Sequence, residues 1–118
     1  MYDLLQKMIA FKYDCKINHW KTNDYAQHLL FDRLSEEIDN WVDEIAENYF
    51  MATGDKKIFK PSLLNSKCID FDLQKMCNLI ISDIEKLIKK KDVNEGMKSL
   101  LTEIESGFLN KLALVKLK

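Results

Sequence analysis

From Leu4 onward the apolar residues Leu4, Leu5, Met8, Ile9, Phe11, Cys15 and Trp20 recur at the spacing of a helical face. The polar run Lys21-Thr22-Asn23-Asp24 breaks that pattern and supplies side chains suited to cap a new helix, so helix 1 is expected to end near Trp20. A second stripe, Phe31, Leu34, Ile38, Trp41, Ile45 and Tyr49, predicts a long helix 2 from about Asp24 to Thr53, with Gly54 as its stop. Residues 54–71, with Pro61 and a mixed pattern around Ser62-Leu63-Leu64, read as a crossover holding at most a short helical turn. Periodicity returns after Asp72 with Met76, Leu79, Ile80, Ile84, Leu87 and Ile88, and closes in Lys89-Lys90-Lys91, a basic run that suits a helix C-terminus. Asp92-Val93-Asn94-Glu95 reads as a variant capping box for helix 4, which carries Leu100, Leu101, Ile104, Phe108 and Leu112 and accommodates Gly107 as an interruption.

The expected class is therefore all-α, with residues 1–118 forming a single domain. Short links join helices 1 and 2 and helices 3 and 4, and one long crossover joins helices 2 and 3, the connectivity of ferritin-like four-helix bundles. Composition agrees: 47% apolar residues can fill one core, and only three glycines and one proline leave little material for the turns of a sandwich or barrel. A net charge of −1 gives no overall field to attract nucleic acid or an anionic membrane. Cys15, Cys68 and Cys77 are odd in number and form no C-x-x-C, so they are expected to fill apolar gaps in a reducing, cytoplasmic setting. No secretory signal pattern and no apolar run of membrane-spanning length is evident, so neither export nor membrane insertion is expected.

Chemistry concentrates around the only two histidines, His19 and His28. His28 and Asp32 stand four apart on one helix face, as do Asp43 and Glu47. Eleven residues separate Asp32 from Asp43, and eleven steps of about 100° return to within about 20° of the starting direction, so all four side chains share a face. The same eleven residues span about 16 Å along the helix axis, too far for one chain to bring both pairs onto one ion. They meet only if a second copy of helix 2 packs antiparallel about a two-fold axis near Glu37 and Ile38, so that His28 faces Glu47 of the partner and Asp32 faces Asp43. That face lies well over 90° from the Phe31 to Tyr49 stripe. Glu36 and Asp39 fall on it too, near the axis, and would crowd acidic charge there unless cations or water intervene. A di-iron centre inside the bundle would need Glu-x-x-His motifs on inward faces, and the sequence contains none.

Asn18-His19-Trp20, His28-x-x-x-Asp32 and Asp43-Glu44-Ile45-Ala46-Glu47 together resemble the ferroxidase signature of the Dps (DNA protection during starvation) miniferritins, over roughly residues 11–54. The two histidines stand nine apart, where that family usually has about twelve. The resemblance implies that His19, His28 and Asp32 of one subunit and Asp43 and Glu47 of its two-fold partner bind and oxidise iron (Fe2+ to Fe3+), with Trp20 beside the site. It further implies hydrogen peroxide as oxidant and ferric storage within a homododecamer. Imidazole with carboxylates suits this metal, and zinc or manganese as well. The chain begins almost at helix 1, without a Lys-rich arm to grip a phosphate backbone, so DNA condensation is not expected. Two other readings of the same residues are a non-catalytic helical adaptor that binds a protein partner, and a structural dimer stapled by zinc or manganese.

Overall fold

The computed structural model of the chain describes residues 1–54 and 72–116 and contains four helices: α1 (Tyr2–Lys21), α2 (Tyr25–Thr53), α3 (Leu73–Ile88) and α4 (Glu95–Lys116). No strand occurs among the described residues, in agreement with the all-α expectation. The crossover expected over 54–71, and Cys68 within it, lies outside the described residues.

Local chemistry fixes the helix ends. Asp24 caps α2, its carboxylate accepting the amides of Ala26 at 2.9 Å and Gln27 at 3.4 Å, and Asp72 does the same for the Lys75 amide at the start of α3. At the other end of α2, Gly54 adopts a left-handed conformation (φ 64°) and donates its N–H to the Phe50 carbonyl at 2.9 Å. The capping box proposed for α4 is corrected: Asn94, not Asp92, accepts the Met97 amide at 2.8 Å. Either residue has a suitable side chain, but helical geometry begins at Glu95, which makes Asn94 the residue one step outside it.

Each helix turns one stripe inward. Leu4, Leu5, Met8, Phe11 and Cys15 of α1 meet Phe31, Leu34, Ile38 and Ile45 of α2, Cys77, Ile80, Ile81 and Ile84 of α3, and Met97, Leu101, Ile104, Phe108 and Leu112 of α4 in one buried core. Two residues counted in the sequence stripes are exposed to solvent instead. Trp20 is 66% exposed and Leu79 is 44% exposed. Each lies about 130° round its helix from the mean direction of its buried neighbours, so its bulk is apolar but its angle is off the inward stripe. The two described cysteines do fill apolar gaps: Cys15 and Cys77 are free and buried, and burial pushes the Cys77 thiol up to about 12 and that of Cys15 higher still.

Helix neighbours are α1 with α2 and α3, and α4 with α3 and α2. Contacts give their directions. Lys16 and Lys12 of α1 pair with Asp32 and Asp39 of α2, Lys7 of α1 pairs with Asp83 of α3 while Cys15 of α1 lies near Cys77 of α3, and Lys111 and Phe108 of α4 meet Glu37 and Trp41 of α2. All neighbours are thus antiparallel, and the diagonal pairs, α1 with α4 and α2 with α3, are parallel. Phe11 and Phe108 stack across one diagonal with ring centroids 6.1 Å apart.

Gly107 is more than an interruption that α4 accommodates. A Cβ built there would lie 2.5 Å from Trp41 Cζ2, so the missing side chain is what lets the indole seat on α4. Gly96 meets only the Asn94 side chain, at 3.5 Å. Gly107→Ala should therefore lose about 1–3 kcal/mol in urea unfolding despite its better helix propensity, whereas Gly96→Ala should be neutral or gain up to ~1 kcal/mol. Equal gains at both positions would contradict this packing.

Candidate functional site

Thr22, Asn23 and Asp24 alone separate α1 from α2. The link is tied down by the Asp24 amide donating to Thr22 Oγ1 at 3.2 Å and the Thr22 hydroxyl donating to Gln27 Oε1 at 3.1 Å. So tight a turn sets the last turn of α1 beside the first turn of α2, which brings His19 against His28.

The two imidazoles stack with centroids 3.8 Å apart and ring planes 28° from parallel. Each also reaches the other's backbone: His19 Nδ1 lies 2.8 Å from the His28 carbonyl oxygen, and His28 Nδ1 lies 2.8 Å from the His19 carbonyl oxygen. A carbonyl can only accept, so both Nδ1 atoms must carry hydrogen and donate. When the rings are neutral, the lone pairs are left on the two Nε2 atoms, the tautomer that a backbone-oriented metal-binding histidine requires. Tyr25 extends the stack, its ring centroid 6.5 Å from that of His28.

Asp32 completes the group. Its Oδ1 lies 3.9 Å from His19 Nε2 and 3.2 Å from Lys16 Nζ. The Lys16 ammonium, helped by the two imidazoles, holds the Asp32 carboxyl below its usual value against a smaller opposing effect of desolvation. Two donors each about 2.1 Å from one ion lie at most about 4.2 Å apart, so the His19–Asp32 spacing fits shared coordination.

The remaining predicted residues sit elsewhere on α2. Asp43 and Glu47 are exposed on its outer face and form no ion pair among the described residues. Asp39 is bound by Lys12 at 2.9 Å, so a cation does relieve part of the acidic crowding, while Glu36 is exposed. Ile38 is fully buried and Glu37 turns to Lys111 of α4 at 3.0 Å, so the outer face at that level is formed by Glu36 and Asp39. Among the described residues, no group of three His, Cys, Asp or Glu converges on an ion within the single chain.

Lys16 and Tyr25 did not emerge from the sequence as site residues. Their signal was three-residue spacing, Lys16 before His19 and Tyr25 before His28, which places each over the same face as the histidine. Exposed Trp20, Tyr25 and Leu29 put apolar surface around the histidines. No helix among the described residues is long and apolar enough to cross a membrane.

Long-range proton–nitrogen NMR spectra of both imidazoles above pH 8 should show hydrogen on Nδ1 and a lone pair on Nε2. Hydrogen on Nε2 in either ring would contradict the reciprocal hydrogen bonds.

Comparison with known proteins gives one result. A family described as "Family of unknown function (DUF5856)" matches residues 19–113. No curated protein matches, and no solved structure matches.

Proposed function

The chain belongs to that family, whose description assigns no activity, and from this premise we propose that it is a ferritin-like iron-oxidising protein whose sites form across a two-fold dimer. The observation that carries this reading is the paired Nδ1–H to carbonyl hydrogen bonds of His19 and His28, which leave both Nε2 lone pairs free to ligate, that of His19 3.9 Å from Asp32 Oδ1. A hydrogen bond from the far ring nitrogen to a backbone carbonyl selects the ligating nitrogen and fixes ring orientation before a metal arrives. His19, His28 and Asp32 supply one half of the site. Asp43 and Glu47 of the partner supply the other half, in keeping with the outward placement of both carboxylates in the single chain.

The antiparallel neighbours and the parallel α2 and α3 support ferritin-like connectivity, in which a long crossover returns the chain to the far end of the bundle. Exposed Trp20, Tyr25 and Leu29 support self-association, since large aromatic side chains are favoured where one protein surface covers another. Iron is the substrate here. Two Fe(II) ions each give one electron to hydrogen peroxide, its O–O bond breaks, and two Fe(III) and two hydroxide ions result. The chain's own groups bind and orient: imidazole nitrogens favour the incoming Fe(II), and the hard carboxylates stabilise Fe(III). A cytoplasmic homododecamer that stores the ferric product is the larger assembly this reading carries with it.

Anaerobic Fe(II) titration of the apoprotein followed by a peroxide pulse tests the proposal through ferric absorbance. Wild-type protein should oxidise iron saturably, while His28→Ala and Asp43→Ala should each reduce the rate at least about 100-fold with fold and assembly intact. Oxidation no faster than in buffer would favour the adaptor. Assembly that depends on zinc or manganese, without oxidation, would favour the stapled dimer.

A further inference from the structure

The oxygen that the proposed site needs is already taken. Asp32 Oδ1 is the atom 3.9 Å from His19 Nε2, and the same atom receives the Lys16 ammonium at 3.2 Å. Lys16 stands one turn before His19 on α1, and its side chain is about two-fifths exposed. It is therefore held by this contact without being enclosed, and it can swing to solvent on its four-carbon stem. An ion that uses His19 Nε2 and Asp32 Oδ1 together would stand within a few ångströms of the ammonium, where like charge repels.

We infer that Lys16 is a built-in competitor for the metal: its ammonium holds Asp32 in the apoprotein and has to leave before a divalent cation binds to the His19–His28–Asp32 group. The inference rests on the metal-site reading above and adds a regulator to it. Lys16 is a positioning residue, because it orients and screens a ligand without itself coordinating. Its effect is to set a threshold. The ammonium keeps the carboxylate satisfied at low metal concentration, and only a cation that gains both imidazole and carboxylate bonds displaces it. Monovalent ions, which bind imidazole weakly, gain too little to do so. The neighbouring Lys12 makes a similar pair with Asp39, yet Asp39 lies seven residues further along α2 and forms no ion pair with either histidine, so the Lys12 ammonium blocks no histidine–carboxylate pair.

The test is Co(II) titration of the full-length apoprotein at neutral pH, read by calorimetry and by the visible bands of bound cobalt, for wild type, Lys16→Gln and Lys12→Gln. Lys16→Gln should bind Co(II) about tenfold more tightly, while Lys12→Gln should change affinity less than about threefold. Raising salt should weaken the Lys16 block and so narrow the gap between wild type and Lys16→Gln. Binding by wild type that is unchanged or weaker in Lys16→Gln overturns the competitor and leaves the site standing. Equal tightening in both variants also overturns it, since general charge then explains the effect. No cobalt binding by any of the three folded proteins overturns the metal-site reading and the inference with it.

Discussion

The three-residue turn between α1 and α2 is the constraint on which the site depends. With only Thr22, Asn23 and Asp24 to reverse the chain, the last turn of α1 and the first turn of α2 are forced into contact, and each helix end offers one histidine to the other's backbone. Carbonyls in the last turn of a helix lack intrahelical partners, and the His28 imidazole supplies one for the His19 carbonyl at the end of α1. One pair of hydrogen bonds thus both closes the turn and sets the tautomer of two side chains. A longer link would relax both effects together.

Bundle packing then decides which groups remain on the open face. Leu34, Ile38 and Ile45 turn α2 inward, and Trp41 seats on α4 where Gly107 makes room. The opposite face of α2 is left with Asp32, Glu36, Asp39, Asp43 and Glu47 over about four turns. Lysines of α1 answer two of these, Asp32 and Asp39, and leave Asp43 and Glu47 exposed. A carboxylate row partly neutralised by its own chain and otherwise open is a surface suited to a cationic partner, whether an ion or a second molecule that brings one.

Much of this was legible in the sequence, for physical reasons. Helix limits could be read because Asp24, Asp72 and Gly54 cap by local chemistry that involves only nearby backbone. The cap of α4 was ambiguous because Asp92 and Asn94 compete within three positions, and only the observed backbone separates them. The inward stripes of α2 and α4 are readable from period, whereas Trp20 and Leu79 resemble core residues in bulk and differ from them only in angle. Gly107 could not be interpreted, since its role belongs to Trp41, far away in the chain. His28 and Asp32 announced themselves by spacing. The reciprocal bonds with His19 and the grip of Lys16 are contacts between helices, and periodicity along one helix carries no record of them.

The claim that each site draws on two subunits is tested most directly by a purified mixed dimer of two defective chains, one carrying His28→Ala and the other Asp43→Ala. In such a dimer one site combines both defects, and the other combines the intact halves. The account predicts that the mixed dimer regains one working iron-oxidising site, about half the wild-type capacity, although neither variant has one alone. A mixed dimer as inactive as its parents would contradict the shared site.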